Sequence, residues 1–213
     1  GGTMMKKTLR AAAVTAAMTA MLSGAAFAMP TVTDGQETSE GAVLTYPIVQ
    51  TDAPDAQQRI NTVIEDDVKA FMQEIDMTRM GNKKTSAEMS YKITNSSDDL
   101  LSLKTEQFIS EEGAAHPMSY THGYLFRLSD GKALTLDDVQ QMSDRKDRAG
   151  RYTLDALNRR LTEPKNGAPE GYKALETAPK DIYMDADGHI HVLIQRYEAA
   201  SYAAGVLDID LDA

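Results

Sequence analysis

Four histidines are present, and two of them, His189 and His191, share the spacing of alternate strand residues. On a strand both imidazoles point to the same side. Zinc asks for three or four ligands in near-tetrahedral geometry. A His-x-His pair without His-Glu-x-x-His or another ligand-spaced cluster falls short of that. Asp185-Ala186-Asp187-Gly188 opens like a calcium loop, but the strand replaces the acidic residue that should close it. No metal ligand and no cofactor is assigned. With no cysteine, no Gly-x-Ser-x-Gly elbow and no glycine-rich phosphate loop, the usual covalent nucleophiles are missing. The 32 acidic residues offer many carboxylate pairs for glycoside chemistry, and nothing singles one out. No catalytic residue is assigned.

Recognition is better served than reaction. Tyr120 and Tyr124 flank His122 at strand spacing, and Tyr197 and Tyr202 lie near the end. Tyrosine joins apolar area to a polar tip at low entropic cost, so it suits contacts with protein and with carbohydrate. The alternative is that these rings face the core and keep only their hydroxyls at the rim. The candidate binding residues are His116, Pro117, Tyr120, His122, Tyr124, Tyr197, Glu198 and Tyr202.

The elements that must position them follow from periodicity. Residues 43–49 read as a strand, and Pro47 places it at an edge or a bulge. A long helix follows, with Asp52 or Asp55 as cap and Pro54 in the first turn. Ile60, Ile64, Val68, Phe71 and Ile75 form its buried stripe, and Glu65, Asp66, Lys69 and Glu74 its polar face. Gly81 ends that unit. Residues 87–95 and 100–109 make a hairpin, and His116-Pro117 leads into a strand over 118–128. Alternation there sets Met118, Tyr120, His122, Tyr124 and Phe126 opposite Ser119, Thr121, Gly123 and Arg127. Gly131 serves a turn, and Thr135 caps a short helix. A second long helix is expected over 147–162, its arginines forming a solvated face. A turn-rich connector over 163–180 precedes a hairpin across 185–188 and a closing strand over 206–211. This order predicts an α+β fold, an antiparallel β-sheet with two main helices packed on one face.

The ends and the charge set the surroundings. Residues 1–28 read as a short stub and a secretory signal: Lys6, Lys7 and Arg10, then an apolar run over 11–22, then Ala26-Phe27-Ala28. That run is shorter than the about 20 residues needed to span a bilayer. Residues 29–42 are polar and read as a flexible lead-in, with the domain proper over 43–213. Cleavage removes three of the 22 basic residues and none of the 32 acidic ones, leaving a formal net charge of −13. Such a chain repels nucleic acid and anionic headgroups and favours a basic partner. Export to the periplasm, the cell envelope or the medium is expected, with no membrane insertion after cleavage.

Leu44-Thr45-Tyr46-Pro47, Arg59-Ile60-Asn61, Gly113-Ala114-Ala115-His116-Pro117, the run from Asp130-Gly131-Lys132 to Asp138, and Tyr197-Glu198 through Tyr202 to Gly205 occur in that order. Together they resemble the extracellular domain of the anti-sigma factor RsiV and the non-catalytic N-terminal region of peptidoglycan deacetylase C. The likeness runs from about Val43 to Leu211. Two positions depart from it: Ala114 stands where the family has Gly, and Ser201 where it has Pro. The resemblance implies an exported, non-catalytic domain that binds a c-type lysozyme-like basic protein, in sensing or in shielding. Binding to peptidoglycan is the alternative, and a metal-dependent wall-modifying enzyme the second.

Overall fold

The computed structural model describes residues 29–80, 84–162 and 172–213. The signal expected over 1–28, the break expected at Gly81 and the first half of the connector expected over 163–180 lie outside the described residues.

The long helix is α1 (Pro54–Arg79). Its expected stripe is buried from Ile60 to Ile75, with Ala56 added. Cutting one of its large side chains, such as Phe71, to alanine costs about 3–5 kcal/mol. The cap differs from expectation. Ala53 holds that position and contributes no side-chain bond. Thr51 organises the entry instead: its Oγ1 accepts from Ala53 N–H at 3.2 Å, while its own N–H donates to Gln57 Oε1 at 3.0 Å.

Five strands form the main sheet in the order β1 (Thr31–Ser39), β2 (Ala42–Gln50), β3 (Thr85–Ser96), β4 (Leu100–Glu111) and β5 (Met118–Arg127). The α+β class holds, but the sheet is mixed. β2 and β3 run parallel over Ala42–Leu44 and Ala87–Met89, because α1 carries the chain back to the starting edge between them. Pro47 is therefore not on an edge strand. It pairs with Asp34 of β1 beyond the stretch that β3 reaches, where its missing N–H costs no ladder bond.

The flexible lead-in over 29–42 is corrected to an ordered edge strand. β1 pairs with β2 residue for residue from Thr31↔Gln50 to Ser39↔Ala42, across a turn at Glu40-Gly41 where Gly41 takes φ +70°. The Tyr46 ring lies directly over Gly35, leaving no room for a Cβ. Tyr91 of β3 donates to Asp34 at 2.6 Å, and Arg79 at the end of α1 reaches Ser39 and the Glu40 carbonyl.

The expected second helix is also corrected. Residues Ser143–Arg151 form 3-10 turns, and the helix proper is α3 (Leu154–Leu161), started by Thr153 accepting from Ala156 N–H. The short α2 (Leu136–Gln141) has the expected Thr135 cap, completed by Asp138 as a reciprocal capping box. The last strands, β6 (Ile182–Met184), β7 (Ile190–Ile194) and β8 (Leu207–Asp210), make a separate antiparallel sheet.

The main sheet is thus covered differently on its two faces. α1 packs on one, against Leu44, Met89, Leu101, Leu103, Ile109 and Phe126. The other, over β4 and β5, meets a second core of Leu125, Leu157, Leu161, Ile182 and Val192. Consequently α1 and α3 lie on opposite faces rather than on one. Close approach of β6 to β5 needs Gly123, since a Cβ there would stand 2.9 Å from the Ile182 carbonyl oxygen.

The basic stretch is not simply a solvated face. Arg145 is 8% exposed. It donates to Tyr152 Oη at 3.1 Å, to Asp212 Oδ2 at 3.2 Å and to the Gly188 carbonyl. Arg151 donates to the Asp212 carbonyl, and Arg160 to those of Leu211 and Ala213. Lys146 and Arg159 remain exposed.

Candidate functional site

β5 positions the central residues. Its alternation turns Tyr120, His122 and Tyr124 toward α1, where carboxylates meet them. Tyr120 donates to Glu74 Oε1 at 2.7 Å. Glu74 is therefore not on the solvent face of the helix; it sits half-buried on the flank facing β5. Burial, then the bond to Glu74, pushes the Tyr120 hydroxyl up to about 12. Burial and then the charge of Asp67 raise Tyr124 as well. Both remain neutral donors.

His122 lies between two aspartates. Its Nδ1 is 3.1 Å from Asp181 Oδ1 and its Nε2 is 3.7 Å from Asp67 Oδ1. Burial opposes its charge, but the bond to Asp181 and the charges of Asp67 and Asp181 outweigh burial and raise its pKa. Gln107 of β4 steadies Asp67 by donating to its Oδ2 at 3.0 Å. His122, Asp67 and Asp181 line a cleft of about 370 Å³ between α1 and β5, with Val63, Ala70 and Leu134 along its apolar wall.

The remaining candidates gather at the other side of β5, around the segment after β7. Tyr202 donates to the Pro117 carbonyl at 2.9 Å, and the His116 ring stacks on the Tyr202 ring at 3.8 Å between centroids. The Arg196 guanidinium lies 4.8 Å from the Tyr202 ring centroid and donates to both the carbonyl and the hydroxyl of Ser119. Tyr197 stands beside Tyr202 at 5.9 Å. It is 68% exposed and has φ +68°, the left-handed region that non-glycine residues seldom occupy. Glu198 is exposed, yet its Oε2 accepts the Gln195 N–H at 2.9 Å and so braces the same loop.

The eight candidates therefore form two groups. Tyr120, His122 and Tyr124 are half-buried against α1. His116, Pro117, Tyr197, Glu198 and Tyr202 build an aromatic surface platform with Arg196. Two residues outside the sequence candidates complete the picture. Phe108, 42% exposed, pairs across the sheet with Ser119 and so shares the platform's face, with exposed Glu88 and Glu106 beside it. Its place in an alternating strand opposite Leu103 and Ile109 was the available signal. Gln195 joins the two groups. Its side-chain amide accepts from Thr121 N–H at 3.3 Å and donates to Thr121 O at 2.7 Å and to Asp181 Oδ2 at 3.1 Å. Nothing in the sequence marks it, because it reads as the polar end of a strand.

His189 and His191 do point to one side, toward β8. His189 Nδ1 lies 3.0 Å from Asp210, while His191 bridges Asp208 at 2.8 Å and Asp185 at 3.2 Å. The Asp185 loop is a tight turn whose Oδ1 accepts from the N–H groups of Asp187 and His189. Among the described residues no group of three or more His, Asp or Glu is arranged to hold a metal ion.

Comparison with known proteins gives a partial placement. Residues 35–119 match the family model described as Deacetylase PdaC, a stretch that runs from β1 through β4 and stops two residues into β5. No curated protein matches the sequence. A DUF3298 family member from Bacteroides fragilis NCTC 9343 has a similar crystal structure, with a TM-score of 0.56 and 17% identity over 86% of this chain and 90% of that one. A DUF3298 family protein from Pseudomonas aeruginosa PAO1 gives 0.52 and 12%, over 87% and 90%. At such identities the likeness establishes the fold.

Proposed function

We propose that this PdaC-like domain is an exported, non-catalytic binding module whose partner is a basic protein of the c-type lysozyme kind. The observation that carries the reading is the exposed platform of His116, Tyr197 and Tyr202 around Arg196, with Phe108 on the same face. Rings held by stacking and backbone bonds lose little entropy when covered, which is the behaviour of interface anchors. Glu88, Glu106 and Glu198 border them, and the net charge of −13 left after residues 1–28 draws a cationic protein toward such a rim. The resemblance to the RsiV domain supplies the identity of that protein.

Calorimetry of the protein with c-type lysozyme, at low and raised salt, tests the proposal. Heat that weakens with salt and vanishes in Tyr197→Ala is expected. No heat with lysozyme, together with retention on insoluble peptidoglycan, would transfer the platform to wall glycan. Incubation with peptidoglycan or chitooligosaccharides is expected to release neither acetate nor reducing ends. Release that disappears in the His189→Ala, His191→Ala double variant would overturn the non-catalytic reading.

A further inference from the structure

The aromatic platform hangs on one internal device. Its loop touches β5 and the residue before it at three points: Gln195 on the outward N–H and C=O of Thr121, Arg196 on Ser119, and Tyr202 on Pro117. Gln195 is the point that reaches inward. The same side-chain nitrogen that donates to Thr121 also donates to Asp181 Oδ2, and the other oxygen of Asp181 is held by His122. Asp181 is 6% exposed. Its position therefore depends on what His122 offers it.

We propose that His122 is a proton-operated latch: protonated, it fixes Asp181 and Gln195 and holds the platform loop on β5, and neutral, it releases that hold. The proposal concerns regulation of the platform and rests on the binding reading only for its biological use; the latch itself is a statement about the loop.

The surroundings of His122 set the direction. From α1 it faces Asp67 and, further out, Asp66; from the segment before β6 it faces Asp181 and Lys180; on β5 it is flanked by Tyr120 and Tyr124. Both tyrosines stay neutral, and Glu74 is occupied by Tyr120. Lys180 opposes the imidazolium charge, while Asp67 and Asp181 favour it and prevail. A folded pKa above the ordinary value of about 6.5 means that the contribution is complete below that value. It is lost as pH rises through the folded pKa. Deprotonation removes one of the two N–H donors and the charge that strengthens the bond to Asp181, leaving the buried Asp181 and the half-buried Asp67 carboxylates facing a neutral ring. A His122 that holds its proton more tightly with the loop closed than with it open favours closure at the lower pH.

Hydrogen exchange across pH 5.5 to 8.5, corrected for intrinsic chemistry, reads the latch directly. Protection at Thr121 and over 196–202 is expected to fall with rising pH, while β3 and β4 stay unchanged. His122→Gln should flatten that profile. Gln195→Ala should leave the loop poorly protected at every pH, while the His122 ring still titrates by NMR. A flat wild-type profile, or an unchanged one in His122→Gln, overturns the latch. Should His122→Gln fail to fold, a wild-type profile in Gln195→Ala does the same. Absence of lysozyme binding at all pH values, with the exchange profile intact, removes the partner and leaves the latch standing.

Discussion

Replacing Asp212 with alanine is expected to be among the most damaging changes at the C-terminal tail. The Asp212 side chain is 0% exposed and is held from three directions. It accepts from Tyr152 O–H at 2.7 Å, from Ile190 N–H at 2.9 Å and from Arg145 at 3.2 Å. Arg148 adds its charge at 3.6 Å but is 55% exposed. Truncation leaves the buried Arg145 guanidinium with only the exposed Asp144 carboxylate, 3.8 Å from a Nε that makes no hydrogen bond. Breaking a buried pair in this way costs about 3–5 kcal/mol. For a chain of this length each kcal/mol moves the melting temperature by about 2–4 °C, so a fall of about 6–20 °C is expected. Arg148→Ala, by contrast, should cost under about 1 kcal/mol. Denaturant unfolding of Asp212→Ala, Arg148→Ala and Arg145→Met with Asp212→Leu supplies the comparison. The double variant should recover only part of the loss, because it removes the unpaired charge but leaves Tyr152 O–H and Ile190 N–H without their acceptor. An Asp212→Ala protein within about 1 kcal/mol of wild type would refute the view that the arginines clamp the tail.

Gly131→Ala should destabilise by about 1–3 kcal/mol or more, since φ is +71° there and a Cβ would meet the Ala56 carbonyl oxygen at 2.4 Å; chemical denaturation measures it. Thermal stability should peak between about pH 4 and pH 6.5. Asp185, Asp208, Asp210 and Asp212 have lowered pKa values, so their contribution is lost as pH falls through the folded values, while His189 and His191 are raised and lose theirs as pH rises. A melting temperature that falls on neither side of that window would count against the β7–β8 ion pairs. Tyr197→Gly should keep or raise the melting temperature, because left-handed backbone costs a non-glycine residue about 1–2 kcal/mol, yet abolish lysozyme binding; unchanged affinity would remove Tyr197 from the interface.

The legibility of this chain follows how local each feature is. The stripe from Ile60 to Ile75 repeats at helical period and was plain. β1 was not, because it is an edge strand exposed on both faces, and Thr31 to Ser39 lacks the alternation that a half-buried strand displays. The leucines of α3 were visible, but Ser143–Arg151 carries almost no apolar residue, and Gly150 with Thr153 restarts the chain before Leu154. A separate second sheet could not be foreseen from strands of three to five residues. The choice of His116 and Tyr202 as binding candidates followed from their ring types. The roles of Glu74, Asp67 and Gln195 did not, since each reads as an ordinary polar position until its tertiary neighbour is known. Several residues of the shared motifs prove to be scaffold. Asn61 bonds both the N–H and C=O of Val49 at 2.8 Å, Arg59 reaches the Asp130 carbonyl, and Asp138 closes the capping box.

The short parallel seam between β2 and β3 has a consequence for how the chain assembles. The β1–β2 hairpin and the β3–β4–β5 meander are each built from neighbours along the chain and form early at small cost in loop closure. Their strand pairing is confined to Ala42–Leu44 against Ala87–Met89. The adhesive is the second half of α1, whose Val68, Phe71 and Ile75 touch both sides of it. Docking the hairpin is then expected to be a late step of folding. The same seam is where the folded protein opens first, and at high concentration a hairpin freed there can dock onto the helix of a neighbouring molecule instead of its own.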